Sequence, residues 1–294
     1  MTRGWATLAG FGAIALWSTL ALLTVLAGAV PPLQLLATCF GIGGLAGLAA
    51  GGRRRAWRVW AQPLPVWALG VGGLFGYHLL YVLALRAAPP VQASLVAYLW
   101  PLLIVLMASG GRLRGHHLGG ALLGLAGAVL VVTGGRGVAL SSAHGTGYAL
   151  AGAAALVWSS YSVLSRRFTA VPTDAVTGFC IATSVLAWGA HLALETTVRP
   201  EGGQWLAILG LGLGPVGFAF HLWDIGVKRG DLSVLGAVSY AAPLLSTLIL
   251  VAAGRAEPGP ALWAACLLIT SGAALAARDL ILRREVTVSR GPRG

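Results

Sequence analysis

The chain has 294 residues, 57% hydrophobic and only 10% charged, with a formal net charge of +12. Soluble domains carry about 25% charged residues, so this composition excludes an ordinary soluble protein. The basic residues form short clusters between apolar runs and not a stripe on one soluble face, which argues against a nucleic-acid partner.

The apolar runs are long enough to cross a bilayer core of about 30 Å as helices. Ten spans are expected, at residues 5–28, 31–50, 64–86, 91–110, 117–135, 145–165, 174–195, 204–228, 232–253 and 260–282. The first ends near Ala27-Gly28-Ala29, which resembles a signal-peptide cleavage site. The run from Trp5 exceeds the 7–15 residues of a signal core, so it reads as span 1. Gaps fall at GGRRRAWRVW, GGRLRGHH, SRRFTAVPTD, RPEGG, KRGD and GRAEPG. The polar stretch 285–294 reads as a disordered tail. Of the 20 Lys and Arg residues, 16 fall at the termini or after even-numbered spans, and 4 after odd-numbered ones. Positive charge accumulates in the cytoplasm, so both termini are expected there.

The chain repeats itself. Val96–Leu106 matches Val238–Leu248 at six of eleven positions without a gap, including Tyr98 with Tyr240 and Pro101 with Pro243. LWST at 16–19 matches VWSS at 157–160, Pro31 and Cys39 match Pro172 and Cys180, and Gly72 matches Gly214. The offset stays at 141–142 residues through four consecutive span pairs. Spans 5 and 10 pair more loosely, through Gly127 and Gly272. The expected fold is therefore an all-α integral membrane protein of ten transmembrane helices in two five-helix repeats, 1–140 and 141–284, followed by the tail 285–294. Five is odd, so the second repeat enters the membrane from the opposite side. Inverted repeats are a transporter architecture, with the substrate site near the midplane. Pro101 and Pro243 each remove a helix hydrogen bond and clash with the preceding turn, which marks spans 4 and 9 for kinks and the two prolines as candidate hinges.

Transmembrane Trp and Tyr usually sit at the interfaces, and Trp5, Trp57, Trp60, Trp67, Trp205 and Trp263 fit that rule. A second set does not. Counting about 1.5 Å per residue from the span ends puts Trp17, Tyr98, Trp100, Trp158 and Tyr240 near the bilayer centre and His78 close to it. Tyr77, Tyr81 and Tyr161 lie somewhat further out. Their N–H and O–H groups need partners that lipid cannot supply, so they should face the interior. His78 with Tyr81, and Trp158 with Tyr161 and Ser162, share helical faces. Together these nine residues suggest a polar-aromatic cavity for an uncharged, zwitterionic or ring-bearing small molecule. No buried Arg or Lys stands ready for a phosphate, and no carboxylate pair for a divalent metal, so neither a metal nor a cofactor is expected. His78 is the ionisable group nearest the midplane, hence a functional candidate.

Other features have plainer readings. Asp224 and Lys228 are four apart and should pair. Cys39, Cys180 and Cys266 lie inside spans with no CxxC, as small buried hydrophobes. Glycine pairs four apart, such as Gly43/Gly47 and Gly120/Gly124, allow close helix packing. GLGPVG at 212–217 matches a dinucleotide fingerprint only formally, since the strand that motif requires is missing.

Ten helices in two inverted fives, Trp-Ser in spans 1 and 6 and Pro in spans 4 and 9 resemble the drug/metabolite transporter superfamily, EamA type, over about residues 5–282. GYHLLYVLAL and AYLWPLL most resemble the bacterial aromatic amino acid exporters. The resemblance implies export of phenylalanine, tyrosine, tryptophan and related compounds across a bacterial inner membrane, with His78, Tyr81, Tyr98, Trp100, Trp158 and Tyr240 around the substrate. An exporter of aromatic cations, held by cation–π contacts, and a passive facilitator remain alternatives. A membrane enzyme is disfavoured because no HExxH, GxSxG or carboxylate cluster is present.

Overall fold

The computed structural model describes residues 1–109 and 114–289, apart from the side chains of 52–58 and 279–289. Its regular structure is helical, and ten helical segments are long and apolar enough to span a membrane. Span 1 is Arg3–Leu26, span 2 Pro32–Gly51, span 3 Leu64–Ala87, span 4 Pro90–Ala108 and span 5 Gly115–Thr133. Span 6 is Ser142–Phe168, span 7 Ala175–Leu194, span 8 Gln204–Arg229, span 9 Leu232–Ala252 and span 10 Pro260–Arg278. Short polar signals set the ends. Thr2 caps the start of span 1 by accepting the Trp5 N–H, and Asp231 caps span 9 by accepting the Val234 N–H at 3.2 Å. Span 5 stops at Gly134, whose φ of 62° only glycine adopts without strain.

Two expected boundaries move. The basic gap after span 2 is not a loop, because its helix continues from Pro32 to Trp60. The tail expected from residue 285 begins as helix, since the last helix runs from Pro260 to Ser289. The chain offers no glycine or proline there until Gly291. Residues 290–294 lie outside the described residues.

Several spans are interrupted, and those of spans 3 and 8 and of spans 4 and 9 recur at the repeat offset. Span 4 breaks at Tyr98-Leu99, between Pro90–Ala97 and Trp100–Ala108. Span 9 breaks at Ser239-Tyr240, between Leu232–Val238 and Ala241–Ala252. Pro101 then stands second in its new helix, where no N–H is needed, and Pro243 third. Span 3 carries a π-helical turn at Gly72–Gly76, and span 8 carries one at Gly214–Phe218, 142 residues later. Span 1 also breaks, at Ser18-Thr19, without any proline. There the Ser18 hydroxyl donates to the Ile14 carbonyl at 2.9 Å and the Thr19 hydroxyl to the Leu16 carbonyl at 2.7 Å. Such back-bonding bends helices. Span 6 makes the same bond, Ser159 to the Ala155 carbonyl at 2.7 Å, yet stays helical through it.

The helix pairings also map onto one another when the halves are exchanged. Spans 2 and 7 pack together, as do spans 5 and 10, and the contact of span 1 with span 8 corresponds to that of span 6 with span 3. Glycines permit the closest approaches. A methyl group on Gly43 would lie 2.6 Å from the Gly217 Cα, so spans 2 and 8 meet backbone to backbone.

Each face of the bundle is tied by polar groups. On the face holding the N-terminus, Arg3 pairs with Asp231 at 2.7 Å, and the Asp231 N–H donates to Thr7 Oγ1 at 2.9 Å. Nearby, Lys228 pairs with Asp224 at 2.8 Å and donates to the Val171 carbonyl at 3.1 Å, while Thr173 donates to Asp224 at 2.8 Å. On the opposite face, the Glu195 carboxylate accepts the Leu33 and Gln34 N–H groups at 3.1 and 3.2 Å and pairs with Arg86 at 2.6 Å. A carboxylate at the first turn of span 2 is well placed against the helix dipole.

Candidate functional site

A cavity of about 520 Å³ occupies the centre of the bundle, within the roughly 300–1,000 Å³ typical of small-molecule sites. It is lined by Trp17 and by residues of span 1 beyond its break, by Tyr77, His78 and Tyr81 of span 3, and by Ser94, Tyr98 and Trp100 of span 4. Trp158, Phe220, Ala242 and Ser246 complete it from spans 6, 8 and 9. These segments are the second halves of spans 1, 3 and 9 and the first half of span 4. Adjacent spans run in opposite directions, so all four segments lie from the midplane toward the face opposite the N-terminus.

Indoles and one phenyl ring form the floor. Trp17 meets Trp158 edge-on with ring centroids 5.7 Å apart, Trp100 at 6.5 Å and Phe220 at 5.8 Å. Trp223, fully buried beneath them, lies 5.1 Å from Trp17 and 6.0 Å from Trp100. Polar bonds hold the rings at fixed angles. Trp17 Nε1 donates to the Pro215 carbonyl in the π turn of span 8 at 3.0 Å, and Trp223 Nε1 donates to Ser162 Oγ at 3.1 Å. Ser159 Oγ also lies 3.0 Å from the Trp100 carbonyl, so its single proton is shared between that carbonyl and the Ala155 carbonyl and links span 6 to the break in span 4.

The wall carries the polar groups. His78 Nδ1 is 2.7 Å from the Leu74 carbonyl. A carbonyl only accepts, so Nδ1 holds the proton, and Nε2 of a neutral ring keeps a lone pair. The ring is fixed edge-on by Phe40 at 5.3 Å and Tyr77 at 5.0 Å. Tyr81 Oη and Ser94 Oγ are bonded at 2.9 Å, and Tyr77 stacks on Tyr81 at 6.1 Å. Tyr77 and Tyr98 line the cavity, and neither hydroxyl makes a hydrogen bond to the described residues. A polar wall facing an indole floor suits a ligand with an apolar ring at one end and a hydrogen-bonding head at the other. No Asp, Glu, Lys or Arg lies among the lining residues.

Of the nine residues expected around a cavity, Trp17, Tyr77, His78, Tyr81, Tyr98, Trp100 and Trp158 line it. Tyr161 and Tyr240 do not. Tyr161 packs under Trp158 with centroids 5.2 Å apart, and a methyl group on Gly73 would strike its ring. Tyr240 points between spans 4 and 5, where its hydroxyl accepts the Leu102 N–H at 3.2 Å and its ring covers Gly124. Phe220 and Ser246 line the cavity but carry no sequence signal that distinguishes them from core. Ser94 could have been paired with Tyr81 only by knowing how spans 3 and 4 cross. The candidate hinges, Pro101 and Pro243, lie just beyond the two breaks and are themselves buried.

Comparison with known proteins bears on the family and the fold. Residues 145–278 match the model of the EamA-like transporter family. A protein of Ancylobacter novellus named Aromatic amino acid exporter YddG is 56% identical, over 97% of this chain and all of its own length. A protein of the same name from Escherichia coli is 26% identical, over 94% of this chain and 97% of its own. A solved crystal structure 55% identical in sequence superposes with a TM-score of 0.90, covering 96% of this chain and 99% of the other.

Proposed function

This chain belongs to the EamA-like transporter family, and we propose that it exports aromatic amino acids from the bacterial cytoplasm by alternating access, without catalysing a covalent reaction. The observation that carries the reading is the floor of Trp17, Trp100, Trp158 and Phe220 facing a wall of His78 and tyrosine hydroxyls. An aromatic side chain stacks on the floor, where a ring pair contributes about 0.5–1.5 kcal/mol beyond area burial. The substrate ammonium donates to His78 Nε2, and its carboxylate accepts from Tyr77 and Tyr98. These groups bind a zwitterion without adding a fixed charge. They suit an aromatic cation less well, since the lining holds no carboxylate to balance it.

The transport cycle follows from the repeat. The second half repeats the first at a 141–142-residue offset and, after an odd number of crossings, runs in the opposite direction. Exchanging the shapes of the halves would close the present cavity and open one toward the N-terminal face. The breaks before Pro101 and Pro243 are the hinges. Positive charge at the termini and after even-numbered spans supports a cytoplasmic N-terminal face, so the present cavity opens on the periplasmic half.

The test is uptake of labelled tryptophan into proteoliposomes containing the purified protein, with and without a proton or sodium gradient. Saturable uptake inhibited by phenylalanine supports the reading, and the gradient arm separates coupled transport from facilitated diffusion. Uptake no faster than in protein-free liposomes overturns it.

A further inference from the structure

We propose that the cavity takes a second class of substrate, dipeptides whose first residue is aromatic, with the second residue held by an outer tier of hydroxyls from Thr24, Tyr81, Ser94 and Ser246. The inference rests on the transport reading above and extends it from free amino acids to short peptides.

The lining has two levels. Four spans each present to the cavity two residues four apart in sequence: Leu20 with Thr24, Tyr77 with Tyr81, Tyr98 with Ser94, and Ala242 with Ser246. Residues at that spacing share a helical face, and four residues of helix rise about 6 Å. Spans 1, 3 and 9 run away from the N-terminal face and span 4 runs toward it. The second residue of every pair therefore lies farther from the midplane. At the inner level, Tyr77 and Tyr98 stand with His78 around the head group of an amino acid. At the outer level every one of the four residues carries a hydroxyl.

Two of these hydroxyls are unspent. Span hydroxyls in this protein commonly donate to a carbonyl of their own helix, as those of Thr38, Thr133 and Ser239 do. Thr247 donates to the Pro243 carbonyl at 2.9 Å, whereas its neighbour Ser246, and Thr24, make no hydrogen bond to the described residues. The second halves of spans 1 and 9 pack together, so these two hydroxyls belong to one wall. Tyr81 and Ser94, on spans 3 and 4, are bonded to each other at 2.9 Å. That bond uses one proton of the pair and leaves the other, with several lone pairs, for a ligand.

A free amino acid cannot use both levels. Its ammonium and carboxylate sit on one Cα, and a residue spans at most about 3.6 Å, short of the rise of about 6 Å between the tiers. A dipeptide spans about 7 Å. With its first ring on the indole floor and its ammonium on His78 Nε2, its peptide carbonyl accepts from Tyr77 and Tyr98, and its terminal carboxylate accepts from the outer hydroxyls. The order of the residues matters. An aromatic residue in second place would set its ring among hydroxyls and leave the indoles unstacked. The volume of about 520 Å³ also suits a drug-sized ligand, which is larger than one amino acid.

The test uses the full-length protein in proteoliposomes, with labelled tryptophan and three unlabelled competitors. Phenylalanine and phenylalanyl-alanine should compete within a few-fold of each other, and alanyl-phenylalanine several-fold more weakly. Labelled phenylalanyl-alanine should itself enter saturably. Thr24→Val and Ser246→Ala remove the unspent hydroxyls and keep nearly the same bulk. They should weaken competition by phenylalanyl-alanine several-fold more than competition by phenylalanine, a split that a packing defect would not produce. Three results would overturn the peptide assignment and leave the amino acid reading standing. One is failure of phenylalanyl-alanine to compete where phenylalanine does, or its competition without uptake. Another is equal competition by the two dipeptides. The third is equal losses for phenylalanine and phenylalanyl-alanine in the variants. No saturable tryptophan uptake by the unmodified protein would overturn the reading beneath it.

Discussion

The Tyr240 hydroxyl accepts the Leu102 N–H at 3.2 Å across 138 residues of sequence. Leu102 stands in the first turn of the helix that restarts after the break in span 4, where N–H groups lack helical partners. Tyr240 stands at the corresponding break in span 9. One interrupted helix therefore caps the other, and both breaks are held at the level of Trp100. Replacing Tyr240 with Phe leaves a buried donor unsatisfied, a loss of about 1–3 kcal/mol. Thermal unfolding in detergent should occur several degrees lower. An unchanged melting temperature would show that the Leu102 N–H finds another acceptor.

The prolines should matter for rate more than for insertion. Pro101→Ala and Pro243→Ala restore a backbone donor beside each break and favour straighter helices. Both variants should reach the membrane in normal amounts and transport tryptophan several-fold more slowly. Initial rates in proteoliposomes matched for protein content decide this. Wild-type rates in both would reduce the prolines to packing features.

The indole floor should read the substrate's ring. Trp100→Ala and Trp158→Ala should weaken competition by phenylalanine by roughly tenfold, the equivalent of about 1.4 kcal/mol. Threonine has no ring to stack and should lose less. Competition by both amino acids against labelled tryptophan is the comparison. Equal losses would mean that the rings shape the bundle and leave recognition to the polar wall.

Orientation has a direct check. Arg166 lies in the last turn of span 6 and Arg255 follows span 9. A cysteine at position 166 should react only with reagents that reach the cytoplasm, and one at position 255 only with reagents outside the cell. The reverse pattern would invert the assignment of faces and turn the present cavity toward the cytoplasm.

Much of this architecture was legible in the chain. Composition and run length sufficed for ten spans, because a helix crossing lipid must bury its own backbone polar groups and carry apolar side chains over a fixed length. Depth was legible for the same reason, since a constant rise per residue converts position in a span into height. Trp17, Trp100 and Trp158 were therefore placed at one level before any contact was known. The kinks at Pro101 and Pro243 followed from a missing N–H. The break at Ser18-Thr19 did not, because hydroxyl back-bonding is equally available to Ser159, whose helix continues.

What sequence could not settle was direction around each helix and the gap between helices. Periodicity relates a residue to its own helix face, but only the crossing of neighbours decides whether that face meets a void or a packed partner. Tyr98 and Tyr240 occupy equivalent positions in the repeat, yet Tyr98 lines the cavity and Tyr240 caps a backbone. The side of the bundle that holds the cavity exposes Tyr98 to it, while the packed side buries Tyr240. Phe220 became part of the floor in the same way, through the packing of spans 1, 2 and 8 around it. The sequence by itself determined which side chains stand at the midplane. The tertiary structure decided which of them face the cavity, because helix crossing arises only when the spans pack together.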